Sequence, residues 1–213
     1  ALALAASGAQ VAINYSASQE ASEEVKAEIE KAGGRAECYQ ADVSSFEQVE
    51  AMFEKVKEDF GTLDILVNNA GVIKDTLLLR MKPADWDKVI GVSLNGVYNC
   101  TKMAAEIMMR ARTGCVVNIS SIIGIMSGGG QTNYAAAKAG LNTYLEGIRS
   151  RLWSSGVRVC ILKLGPVDTP MTVDHAKDAS FSSKEDVAKS IVRAVDAGKA
   201  VAYVPARWRL IMA

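Results

Sequence analysis

The strongest constraint on the fold is a regular alternation along the chain. Short apolar runs are separated by longer stretches whose apolar residues recur at helical spacing. Val11–Tyr15, Arg35–Gln40, Leu63–Val67, Cys115–Ile119, Val157–Leu162 and Ala200–Val204 read as strands. Ser18–Lys31, Phe46–Phe60, Pro83–Arg110, Gln131–Ser154 and Lys184–Ala197 read as helices. In Phe46–Phe60, for example, positions 46, 49, 52, 53, 56 and 60 are apolar and fall on one face. Gly33-Gly34 closes the first helix, and Gly91 marks an interruption in the third. This repetition predicts an α/β chain with a parallel, doubly wound sheet, helices on both faces, and a single domain over 1–213.

Composition narrows the function. The 213 residues are 49% hydrophobic, and 24 basic residues balance 24 acidic ones. A neutral chain argues against non-specific binding to nucleic acid or to a membrane surface. No apolar run approaches the roughly 18 residues of a bilayer span, so an integral membrane segment is not expected. Cys38, Cys100, Cys115 and Cys160 are scattered, and His175 is the single histidine, so no metal site is expected. A reduced, cytoplasmic setting follows. Ala1–Ala6 reads as the end of a helix stopped by Ser7-Gly8, and Arg207–Met212 stops mid-pattern. The chain is therefore expected to be truncated at the amino terminus and at the carboxyl terminus.

In sheets of this kind ligands sit beyond the carboxyl ends of the strands. The chemically capable residues lie there: Asp42 after the second strand, Asn68-Asn69-Ala70-Gly71 after the third, Ser120-Ser121 after the fourth, and Gly165-Pro166 after the fifth. Tyr134 and Lys138 stand at i and i+4 on a helix, hence on one face. A free tyrosine has a pKa of about 10, and an adjacent lysine cation favours the phenolate. Such a pair can pass a proton to a carbonyl oxygen or take one from an alcohol. In isolation the spacing is common. Its company is less so: Ala135-Ala136-Ala137 leaves the pair accessible, Ser121 supplies a hydroxyl, and Gly124, Gly128, Gly129 and Gly130 let the connection fold closely. The plain alternatives are a turn or capping serine at 121, an N-cap at Asp42, a turn at Asn68-Asn69, and a helix cap at Thr169.

With Asp42-Val43, Asn68-Asn69-Ala70-Gly71, Ser121, Tyr134-Ala-Ala-Ala-Lys138 and Gly165…Thr169 in this order, the chain resembles the short-chain dehydrogenase/reductases. Asp75-Thr76-Leu77-Leu78-Leu79-Arg80-Met81-Lys82, Asp85-Trp86 and Gly130-Gln131-Thr132-Asn133-Tyr134 resemble the 3-oxoacyl-[acyl-carrier-protein] reductases in particular. The resemblance implies a Rossmann-like fold and a set of roles. Tyr134 is the general acid, Lys138 holds the nicotinamide ribose, and Ser121 orients the carbonyl. Asn69, Ala70 and Gly71 line the cofactor path beside Asn68, which braces the strands. Asp42 and Val43 meet the adenine. Gly165, Val167 and Thr169 frame the nicotinamide. At the end of the first strand, Asn14-Tyr15-Ser16 carries no acid to hold an NAD ribose, which favours NADP, with NAD as the alternative.

The departures are also specific. The family's opening strand and glycine-rich turn have no counterpart, so the sheet is expected to lack its first, central strand. That leaves a gap of about two 4.8 Å spacings, or a sheet closed over it. Ser93 stands where the family has an active-site asparagine, and Asn95 is turned about 200° away on a helix. Leu164-Gly165 replaces Pro-Gly. Val157–Met212 looks like another branch of the superfamily. Arg112 matches a carrier-docking cation, whereas its companion is Ser155. The expected activity is NADPH-dependent reduction of a 3-oxoacyl thioester, free or carrier-bound, by a homodimer or homotetramer. The alternatives are a dehydrogenase of a sugar, steroid or small alcohol, and a non-catalytic binding protein.

Overall fold

The computed structural model describes every residue except Asp75, Gly129, His175 and Ala213. Three residues of the sequence reading, Asp75 of the reductase-like segment, Gly129 of the glycine-rich connection and the lone His175, therefore lie outside the described residues. The elements run α1 (Leu2–Ala6), β1 (Val11–Tyr15), α2 (Gln19–Lys31), β2 (Ala36–Gln40), α3 (Phe46–Phe60), β3 (Ile65–Asn68), α4 (Pro83–Ile90), α5 (Gly96–Ala111), β4 (Gly114–Ser121), α6 (Thr132–Leu152), β5 (Val157–Leu164), α7 (Lys184–Asp196), β6 (Val201–Val204) and α8 (Trp208–Ile211). Strand–helix alternation is as expected, and every strand pair is parallel. The expected helix Pro83–Arg110 is α4 and α5 joined through a π-helical turn at Gly91–Asn95. β4 and β5 run two residues further than their apolar patterns, to Ser121 and Leu164. Their ladder continues through polar residues as far as the pair Ser121–Leu164.

The strands form two ladders, β1–β2 and β3–β4–β5–β6. At the edge of the second, Ile65 and Val67 of β3 are 36% and 37% exposed, unusual for apolar strand residues in an α/β fold. One core nevertheless joins both ladders. Tyr39 of β2, Val49, Met52, Phe53 and Val56 of α3, Val97 and Ala104 of α5, Leu141 and Leu145 of α6, and Val116, Val159 and Ile161 of β4 and β5 pack together. The alternate residues Cys115, Val117, Cys160 and Leu162 face the other way, onto Val187 and Val195 of α7. Period-two alternation thus puts α5 and α6 on one face and α7 on the other.

Candidate active site

The site is built where β3, β4 and β5 end. Asn68, the last residue of β3, is buried. Its Nδ2 donates to Asn118 Oδ1 at 2.9 Å and to Thr101 Oγ1 at 3.1 Å. Asn118 Nδ2 in turn donates to the carbonyls of Val116 and Cys160, both at 3.3 Å. This buried network ties β3, β4, β5 and α5, so the strand ends cannot shift independently. Next along, Ser120 Oγ donates to Asn142 Oδ1 of α6 at 2.7 Å. The turn Ile122–Gly124 then lies flat on α6. A Cβ at Gly124 would stand 2.7 Å from the Lys138 carbonyl carbon and 2.9 Å from Asn142 Nδ2, so only glycine fits this approach.

Helix α6 delivers the central pair. Tyr134, Lys138, Leu141 and Leu145 form one buried stripe, polar over the strand ends and apolar deeper in the core. Asn133, fully buried, fixes the first turn: its Oδ1 accepts from Tyr134 N at 2.8 Å and its Nδ2 donates to the Lys74 carbonyl at 3.2 Å. Tyr134 packs with Val89 and Ala137, against Val72, Ile73 and Ile123. The Lys138 ammonium lies 5.6 Å from the Tyr134 ring centroid, within cation–π range. It is 3% exposed and donates to the Ile119 carbonyl at 2.7 Å. Burial pulls its pKa down from 10.5 to about 8, because the low-dielectric surroundings disfavour the charged form.

Ser121 accepts from Ile123 N at 3.2 Å, the capping role open to it from sequence, and donates to the Leu164 carbonyl at 3.5 Å. That second contact is long for an O–H donor, whose ordinary range is about 2.5–3.0 Å. The hydroxyl proton is weakly committed and free to turn to another oxygen. Ser93 is fully buried within the π-helical turn, where its Oγ accepts from Val72 N at 3.4 Å. A Cβ at Gly71 would lie 3.8 Å from the same oxygen. Asn95 is exposed, as its rotation away from Ser93 requires. The π-helical turn packs on α6, so Ser121, Tyr134, Lys138, Ser93 and Gly71 are gathered in one region.

The remaining predicted residues surround this centre. Asn69 and Ala70 are exposed beyond β3. Asp42 Oδ1 accepts from Ser44 N at 2.9 Å and Ser44 Oγ at 2.7 Å, which lowers the carboxyl pKa. The α3 N-cap is Ser45 rather than Asp42. Val43 is buried against Gly96, with its carbonyl accepting from Asn99 Nδ2 at 2.9 Å. Tyr15 ends β1. Beside it Asn14 Nδ2 donates to the Ala41 carbonyl at 3.0 Å. Past β5, Val167 bridges to Ser182, and Thr169 N donates to Thr172 Oγ1 at 3.2 Å, so Thr169 caps the short turn Pro170–Thr172. Lys177 pairs with Asp168. Sequence reasoning missed the support given by Asn118, Asn133, Asn142 and Thr101. Its available signal was amides at strand centres and in a helix, positions where a polar group must find partners.

The family model described as short chain dehydrogenase matches residues 1–180. A 3-oxoacyl-[acyl-carrier-protein] reductase of Synechocystis sp. is 39% identical over 212 residues, spanning 96% of this chain and 85% of the relative. The 3-oxoacyl-[acyl-carrier-protein] reductase FabG of Staphylococcus aureus is 39% identical over 202 residues, 90% of this chain and 82% of its own. That of Staphylococcus epidermidis is 38% identical over 187 residues, 88% and 77% respectively. The chain belongs to the short chain dehydrogenase family, oxidoreductases that act on CH–OH and C=O groups with a nicotinamide cofactor.

Proposed function

We propose that the protein is an NADPH-dependent carbonyl reductase that converts a 3-oxoacyl thioester to its 3-hydroxyacyl form. The observation that carries this reading is the buried Lys138 ammonium beside Tyr134, next to the weakly committed hydroxyl of Ser121 at the strand ends. Lys138 has three N–H donors, of which one goes to the Ile119 carbonyl, and no carboxylate pairs with it among the described residues. Two vicinal hydroxyls of a nicotinamide ribose suit the remaining donors. Asn69, Ala70 and Gly71 line the path to it. Asp42, Val43 and Tyr15 take the adenosine end, and Gly165, Val167 and Thr169 the nicotinamide end. When bound, the cofactor would supply the hydride that the carbonyl carbon takes up. Ser121 donates a hydrogen bond to the carbonyl oxygen, and Tyr134 gives that oxygen its proton. Lys138 stabilises the phenolate left behind. Ser93 and its π-helical turn serve the proton's return path.

The preference for NADPH rests on the absence of an acid at Asn14-Tyr15-Ser16, which removes repulsion of a 2′-phosphate. The substrate class rests on the three reductase relatives, whose names give a 3-oxoacyl-[acyl-carrier-protein] as the group reduced; a role in fatty acid biosynthesis, in the cytoplasm, as a homodimer or homotetramer, is part of the same proposal. No helix among the described residues is long and apolar enough to cross a membrane. The shared core supports one domain. The separate ladders and the exposed apolar edge of β3 support a central place in the sheet that no strand among the described residues fills. The test is absorbance at the NADPH band with acetoacetyl thioester, run in parallel with NADH. Oxidation of NADPH at least tenfold faster than of NADH is expected. Cofactor binding with no turnover of any ketone would overturn the reading.

A further inference from the structure

Trp208 opens the terminal helix α8, outside the residues matched by the family model. Its Nε1 is buried and has no hydrogen-bond partner, the single such side-chain atom among the described residues. The indole lies on Gly165: a Cβ at that position would collide with Nε1 and Cδ1. Gly165 N donates to the Val204 carbonyl at 3.0 Å, so the β5–β6 ladder runs one residue past β5. Alternation then puts position 165 on the face of Val159 and Ile161, which pack with Leu141 and Leu145 of α6. This is the face that carries Tyr134 and Lys138. One residue earlier, the Leu164 carbonyl receives Ser121 Oγ. Arg207 Nη2 donates to the carbonyls of Ser180 at 2.8 Å and Ala179 at 3.2 Å, pinning α8 over the segment after β5.

A buried donor without an acceptor is unfavourable, and buried polar atoms in native proteins ordinarily have partners. A tryptophan whose N–H is orphaned, held on the catalytic face beside the strand ends, is suited to an acceptor that arrives with the ligand. We propose that Trp208 is a substrate-contacting, specificity-determining residue whose indole N–H takes a second oxygen of the keto substrate, distinct from the oxygen that Tyr134 protonates. The substrate class is a ketone carrying a further carbonyl, as a 3-oxoacyl thioester does. This deepens the reductase reading and rests on it.

Two variants remove the N–H: Trp208→Phe, and benzothienylalanine at 208, which keeps the bicyclic shape and so guards against a packing defect. Steady-state kinetics are compared for acetoacetyl thioester and for a cyclic monoketone with a single oxygen. For the thioester, kcat/KM is expected to fall about tenfold, the scale of one neutral hydrogen bond. For the monoketone it is expected to change less than twofold, and the melting temperature of the benzothienyl form is expected not to fall. Equal effects on both substrates, or none on either, would overturn the assignment of Trp208 alone. If the unaltered chain reduces neither ketone, the reductase reading fails and the assignment falls with it.

Discussion

Replacing Lys138 by Met tests the electrostatics of the site without any ligand. In the folded chain burial pulls the lysine pKa from 10.5 to about 8. Below pH 8 both folded and unfolded chains hold the proton, and the folded state bears the full cost of the buried charge. At about 1.4 kcal/mol per pKa unit that cost is about 3 kcal/mol. Between pH 8 and 10.5 the unfolded chain still binds the proton and the folded chain does not, so stability rises with pH. Above 10.5 the cost is gone. Met removes the charge and leaves the Ile119 carbonyl without its donor, a loss of about 1–3 kcal/mol at all pH values. The two effects nearly offset at pH 7, and the wild-type advantage over Lys138→Met should grow by about 3 kcal/mol by pH 10.5. Urea unfolding of both proteins at intervals from pH 7 to 10.5 measures this difference, in which other titrating groups cancel. Parallel stability profiles would refute the burial argument.

Three further substitutions follow from the packing. Gly124→Ala puts a methyl 2.7 Å from the Lys138 carbonyl carbon and should lower stability by about 1–3 kcal/mol, read as a lower urea midpoint. Asn118→Ala breaks the amide network at a fully buried position, with an expected loss of about 2–4 kcal/mol from the group left unpaired plus the cavity; thermal unfolding checks it. Ser121→Ala removes the acceptor of Ile123 N and should cost about 1 kcal/mol of stability. It should also lower kcat about 100-fold, as loss of one donor to a developing oxyanion does, with cofactor affinity unchanged in a fluorescence titration.

Much of the fold was legible because apolar periodicity is local. Phe46–Phe60 was read to the residue, and its face meets the shared core. The strand-end rule singled out Asp42, Asn68–Gly71, Ser121 and Gly165, and the i, i+4 spacing put Tyr134 and Lys138 on one helix face. Less was legible where the decisive partner is distant in sequence. Gly91 marks an interruption, but nothing near Ser93 gives its form as a π-helical turn at Gly91–Asn95, since this depends on how α4 and α5 seat on α6. Asn118 sits inside an apolar strand, and only the approach of Asn68 and Cys160 explains it. Trp208 lies in the Arg207–Met212 run that stops mid-pattern, and its place on Gly165 follows from β6 pairing with β5. The proposed preference for NADPH turns on a missing acid at Asn14–Ser16, a weaker signal than a group that is present.

The central claim is that Tyr134 is the proton donor of a nicotinamide-dependent reductase, and Tyr134→Phe measures it most directly. The substitution keeps the ring against Val89 and Ala137 and removes the hydroxyl alone. Initial rates of NADPH oxidation by acetoacetyl thioester would be recorded beside NADPH affinity from fluorescence titration. A fall in kcat of about 100- to 10,000-fold, the range for a positioned general acid, with NADPH affinity within threefold of wild type, is the expected result. Turnover within tenfold of wild type would contradict the claim.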